Sequence, residues 1–178
     1  MKKTEADLKY LLTGIIVSFL LVSCGSEEAV EPLVYLAVSD AVASSFDDTP
    51  DWAPPPDAMA PVDRDMHTRW SPKVGLDNEW IYFDFGKRKV LSKIIIEWER
   101  AYAPEYEILT SNDAKEWKRL LLKTDGKGAK EELKFPAVHV RYLKVIGLKR
   151  ANANWGFSIW ELEPYGPEAL NPDEEILR

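Results

Sequence analysis

The stretch EWIYFDFG, Glu79 to Gly86, alternates Ile81, Phe83 and Phe85 with Trp80, Tyr82 and Asp84. A period of two is the mark of a β-strand, because successive side chains point to opposite faces. Both faces here carry apolar residues, as in a strand inside a sandwich. VLSKIIIEWE, EYEILTS, WKRLLLKT, EELKFP, VRYLKVIGLKR and GFSIWELEPYG follow at short, even spacing. Turn signals separate them: Ser111-Asn112-Asp113, Asp125-Gly126 and Lys127-Gly128. No segment carries a sustained helical apolar stripe. Many short strands without helical crossovers predict an all-β fold, an antiparallel jelly-roll sandwich. Residues 47–61, DDTPDWAPPPDAMAP, hold too much proline for a strand and read as a long loop over one end.

The N-terminus reads as an address. Lys2, Lys3 and Lys9 precede the apolar run YLLTGIIVSFLLV, which is short for a membrane span and fits a signal-peptide core. The run ends in Leu-Val-Ser-Cys, which resembles the lipobox of bacterial lipoproteins, with Cys24 as the lipidated residue. A plain signal peptide with an incidental cysteine is the alternative. The expected organisation is a leader over 1–23, a tether over 24–36, a sandwich domain over 37–166 and a polar, frayed tail over 167–178. The tether begins GSEE, which resembles surface-export signals of some Gram-negative lipoproteins, so the expected location is a bacterial cell envelope, at the outer membrane or cell surface. Cys24 is the single cysteine, so no disulfide can staple the domain. Its core, or a metal, must hold it. The chain's formal charge is −7, and removing the basic leader makes the rest more acidic. Such a domain is poorly suited to nucleic acid or anionic lipid.

VDRDMHTRW, EWIYFDFGK, IIIEWERAYAPEYEILTSNDAKEW, RYLKVIGLKR and WGFSIWELEPYG, in that order, resemble the discoidin domain, also called the coagulation factor five/eight type C domain. Its bacterial relatives include the family thirty-two carbohydrate-binding modules. The resemblance covers residues 37–166 and implies an eight-stranded galactose-binding-like sandwich that binds rather than catalyses. Animal members often join the chain ends by a disulfide; this chain has none. The resemblance also implies a structural calcium held by the side chains of Asp63, Thr68 and Glu161 and the carbonyls of Ala60, Asp65, Thr68 and Trp160, with the Asp65 carboxylate as a further donor. Two aspartates and a threonine in one loop supply the oxygen mixture that calcium prefers. They also make an ordinary polar turn. Arg64 stands where the family pattern has glycine, and Met66 where it has a small residue.

Nothing in the chain composes a catalytic motif. His67 and His139 are the only histidines, and neither lies in a nucleophile–base pattern. Glu97 and Glu99 share one strand face, whereas a glycosidase pair flanks the scissile bond. A glycan is the expected ligand, bound at a rim of loops by Trp52, Glu99, Arg100, Tyr102, Asn152 and Asn154. Rings stack on sugar faces while polar groups take the hydroxyls. Trp52 folding back on its prolines is the alternative at that position. The loop KRANANWGF also offers Arg150 and Trp155, but Trp155, followed by Gly156, is expected in the core, and Trp70, Trp98 and Trp117 in the core or sheets. The competing class is a lipid-tethered subunit that holds a protein partner in the envelope; a phospholipid ligand is opposed by Asp47, Asp48 and Asp51. Cys24→Ser is expected to release the protein from membranes and abolish detergent-phase partitioning. A cleaved mutant that stays membrane-bound contradicts the lipobox reading.

Overall fold

The computed structural model describes residues 31–48 and 56–171. Cys24 and the leader lie outside them, as does Trp52. Among the described residues there are seven strands: β1 (Leu33–Tyr35), β2 (Asp40–Ala43), β3 (Trp80–Trp98), β4 (Glu105–Ser111), β5 (Lys118–Lys123), β6 (Lys130–Lys149) and β7 (Ile159–Pro167). All pair antiparallel.

Two strands are far longer than the sequence pattern predicts. The segments read as separate strands before and after Gly86 form one strand, β3, and EELKFP joins VRYLKVIGLKR as β6. Both bend midway. The β3–β6 ladder runs Trp80↔Ile146 to Asp84↔Tyr142, breaks register, pairs briefly from Lys89↔Val140 to Leu91↔Val138, shifts again, and resumes from Lys93↔Lys134 to Glu97↔Lys130. Bulges of this kind let one strand pass from one layer of a sandwich to the other. Pro136 is tolerated because it falls in the break, where no ladder donor is needed. One layer is therefore β2–β3–β6–β4–β5, built on the first part of β3 and the second of β6. The other is β1–β7–β3–β6. Ile81, Phe83, Leu143, Val145, Tyr106 and Ile108 from the first layer meet Ile94, Ile96, Leu133, Leu162 and Val34 from the second. The alternation in EWIYFDFG is thus the inner and outer face of one strand.

Both expected domain boundaries move. β1 lies inside the segment read as tether, with Val34 and Leu36 in the core cluster and Leu33 to Tyr35 paired with Pro167 to Tyr165. Three residues are too few to announce a strand by periodicity. The tail expected to fray is docked as far as it is described. β7 runs through Pro167, a 3-10 turn covers Glu168–Leu170, and Asn171 is only 4% exposed. The Asn171 side chain accepts from Val90 N–H at 3.0 Å and donates to Val90 O at 2.9 Å, as a neighbouring strand would. Gly166 passes so close that a Cβ there would lie 1.8 Å from the Val90 carbonyl oxygen.

Asn171→Ala leaves two buried backbone groups unpaired and is expected to cost about 2 kcal/mol. Gly166→Ala is expected to cost more, because the opposing atom is backbone and cannot yield. Denaturant midpoints measure both. An unchanged midpoint for Asn171→Ala contradicts the docked tail.

Candidate functional site

Because β3 and β6 each turn back at one end, their termini emerge together at the other. Residues 99–104 link β3 to β4, and residues 150–158 link β6 to β7. The two loops are laced by backbone hydrogen bonds: Glu99 N–H to Ser158 O (2.9 Å), Ser158 N–H to Ala101 O (2.6 Å) and Ala151 N–H to Tyr102 O (3.0 Å). Residues 71–79 join them through Gly75 N–H to Trp155 O and through Arg150, whose Nε donates to Asp77 Oδ1 at 2.8 Å. Arg150 also donates to Ala153 O at 2.6 Å, so it braces the loop from within.

Trp155 corrects the sequence reading. It was expected in the core, yet it is 39% exposed, while Phe157, two residues on, is the buried ring at 1%. The reason is local. Asn152 accepts from Asn154 N–H through Oδ1 and from Trp155 N–H through its carbonyl, a turn that pushes the indole outward. The Arg100 guanidinium lies 6.0 Å from the centroid of the Trp155 ring. Val74 and Leu76 are exposed on the adjoining loop. Of the predicted ligand residues, Glu99, Arg100, Tyr102, Asn152 and Asn154 do share this end. Their roles differ. Glu99 spends one carboxylate oxygen on Ala101 N–H (2.8 Å). Asn152 spends its side-chain oxygen on the turn. Tyr102 has Gly128 laid against its ring, where a Cβ would come within 2.8 Å, so that face is closed to a ligand. The end therefore offers an exposed indole, an exposed guanidinium and amide, and a half-buried carboxylate.

A second cluster lies where the chain passes from a 3-10 turn, Ala60–Val62, toward Trp70. Arg64 adopts φ 65°, the left-handed conformation that glycine would take freely. Its guanidinium stacks over the Tyr35 ring at 4.4 Å, which offsets the strain. Thr68 Oγ1 sits 2.8 Å from Asp63 Oδ2, 2.9 Å from Asp65 O and 3.5 Å from Ala60 O. One hydroxyl proton serves only one of those oxygens. Glu161 is 6% exposed, and its Oε1 is buried without a hydrogen-bond partner. Burial first, and then the Asp63 and Glu163 carboxylates, push its carboxyl up to about 7. Trp160 is the extra residue where the β3–β7 register slips between Glu97↔Glu161 and Trp98↔Ile159, which frees its backbone from strict pairing. The Asp65 carboxylate does not join the cluster. It faces outward, onto His67 N–H and Nδ1, so it is not placed as the extra donor the sequence reading allowed. Among the described residues no three His, Cys, Asp or Glu side chains gather at one point. The cluster is instead two carboxylates, a hydroxyl and carbonyls, a donor set that fits a hard cation and not zinc.

Trp117, expected in a sheet, lies on the outer face of the first layer with Trp80, Tyr82 and Tyr142. Lys144 Nζ is 3.8 Å from the Trp117 centroid and 4.6 Å from that of Trp80. Trp80 and Tyr82 stack on each other at 5.7 Å. The ring faces are used within the cluster, and loss of water around Lys144 lowers its pKa.

Comparison with known proteins accords with this geometry. The model of the F5/8 type C domain matches residues 40–162. The crystal structure of chitosan-binding module 1 from a chitosanase/glucanase of Paenibacillus sp. IK-5 is 32% identical, covering 74% of this chain and 98% of that one, with a TM-score of 0.66. Module 2 of the same enzyme, solved with chitotriose, is 30% identical over 74% of this chain and 98% of its own, also with a TM-score of 0.66. A family thirty-two module of AlyQ, solved with 4,5-unsaturated mannuronic acid, shares the fold at 20% identity and a TM-score of 0.59, over 73% of this chain and 96% of that one. A polysaccharide lyase 8 family protein, HylA of Enterococcus faecalis, is 26% identical over 84% of this chain, which spans only 11% of that relative's length.

Proposed function

This chain belongs to the F5/8 type C domain family, and from that premise we propose that it is a carbohydrate-binding module held at a bacterial cell envelope by a lipid on Cys24. The domain is not an enzyme; its relatives at 30–32% identity are binding modules. The observation that carries the glycan reading is Trp155. A large ring is costly to expose, and here a turn and the Arg150 brace hold it outward. An apolar ring face takes the C–H face of a sugar, while Arg100, Asn154 and the second oxygen of Glu99 take hydroxyl or amino groups. The Glu99 carboxylate also suits an amino sugar, the kind of ligand named for the two chitosan-binding modules. Affinity is expected to be weak, about millimolar to micromolar, since a shallow rim contacts few sugar atoms. The exposed Val74 and Leu76 extend the apolar surface beside Trp155. That extension is what an envelope protein partner would use, and it keeps the assembly reading as the alternative.

We also propose that Asp63, Thr68 and Glu161, with the carbonyls of Ala60, Asp65, Thr68 and Trp160, bind a structural calcium. The buried, unpartnered Glu161 oxygen supports this. Bound there, a cation would supply the charge that Glu161 and Asp63 lack between them. The Glu161 carboxyl is otherwise raised above its unfolded value of 4.5 to about 7. Without calcium, its contribution to stability is therefore greatest below about 4.5 and is lost as pH rises to about 7.

Two outcomes test these readings. Titrated with chitotriose and with galactose in a calorimeter, the protein should bind at least one, and Trp155→Ala should weaken that binding by about tenfold, roughly 1.4 kcal/mol. Binding that survives Trp155→Ala unchanged moves the site elsewhere, and no binding to any member of a glycan array favours a protein partner. Calcium should raise the melting temperature of the wild type. Glu161→Gln should abolish that rise and, in chelator at pH 8, should melt higher than wild type. A wild type indifferent to calcium and chelator leaves the loop an ordinary turn.

A further inference from the structure

At the end of the sandwich away from the rim, a groove of about 470 Å³ opens between the β4–β5 turn and the corner of β6. Its floor is apolar, made by Leu120, Val138 and Val140. Some polar residues along it are already engaged. Arg119 pairs with Glu107 at 2.8 Å, and Asp113 Oδ1 accepts from the N–H groups of Lys115 and Glu116. Four side chains are not. Asn112, Glu116, Lys118 and His139 line the groove, and among the described residues none of these side chains has a hydrogen-bond or ion-pair partner.

The mixture selects a ligand chemistry. Lys118 donates, Glu116 accepts, and Asn112 and His139 do either. An anionic polymer or phosphate would meet the carboxylates of Asp113 and Glu116. An acyl chain would use only the floor and none of the four exposed polar groups around it. A sugar ring fits both demands, with one C–H face for the floor and hydroxyls that donate and accept around its edge. The volume lies within the range of small-ligand sites. We propose that this groove is a second saccharide site, holding one or two sugar units. It stands on its own chemistry and not on the rim. β4, seven residues long, separates the two ends by about 23 Å at ~3.3 Å per residue. A short oligosaccharide cannot engage both, so the two sites would bridge separate glycan chains and gain avidity on a polysaccharide matrix.

The test is a ¹H–¹⁵N NMR titration of the full chain with chitotriose and, separately, with galactose. At least one sugar should shift the amides of Asn112, Lys118 and His139 along a saturation curve distinct from that of Arg100 and Trp155. The double variant Lys118→Ala/His139→Ala, if its spectrum stays dispersed, should weaken the groove by at least about tenfold and leave the rim response unchanged. Trp155→Ala should do the reverse. The proposal fails if neither sugar moves the groove amides up to its solubility limit. It fails equally if those shifts vanish with Trp155→Ala, since they would then be transmitted from the rim. A silent rim with a responding groove sinks the rim reading and leaves the groove standing.

Discussion

β3 and β6 are paired with each other in both layers and through a short stretch at the bend between them, and most of the molecule hangs from that ladder. Because both strands bend over the same end, the opposite end receives the close of β3, the start of β4, the close of β6 and the start of β7. Four chain passages are thus delivered to one rim without a dedicated scaffold. The bends also fix which residues face inward. Ile81 and Phe83 on one side of the break, and Ile94 and Ile96 on the other, all point into a single core. In a domain with one cysteine, outside the described residues, apolar burial must do what disulfides do in small exported domains.

The ends of the fold are secured by polar contacts fitted to that core. Asn171 substitutes for a strand beside Val90, at the bend of β3. β1 closes the edge of β7. Near the rim, Trp70 and Ile159 exchange backbone hydrogen bonds at 3.0–3.1 Å, which ties the oxygen-lined loop to the start of β7. That contact ties the loop bearing Asp63 and Thr68 to the strand that carries Glu161 and follows the Trp155 segment. An ion there would stiffen the same stretch of chain that presents the ring, so the proposed metal site and the proposed rim would act on one segment.

Much of this was legible in the sequence, and the failures have physical causes. Period-two alternation gave the class of fold and most inner faces, because side-chain direction in a strand is fixed by geometry. It could not distinguish a turn from a bulge, so Gly86 and Pro136 read as strand ends when they lie within bent strands. It could not weigh Trp155 against Phe157. Both are aromatic and stand two residues apart; the Asn152 turn, a three-dimensional feature, decides which is buried. β1 was missed for brevity, and the Asn171 clamp because a lone asparagine in a polar tail carries no pattern. Arg64 was a sound warning: the position does require φ > 0, and arginine meets the cost by stacking on Tyr35.

The central claim is that the rim displaying Trp155 is a ligand surface and not merely one end of a sandwich. Hydrogen–deuterium exchange read by mass spectrometry, with and without saturating chitotriose, tests it directly, because a ligand on laced loops suppresses their local opening. The account predicts slowed exchange in peptides covering residues 71–79, 99–104 and 150–158. Protection absent from all three, with slowed exchange confined to the outer face around Lys144, would contradict it.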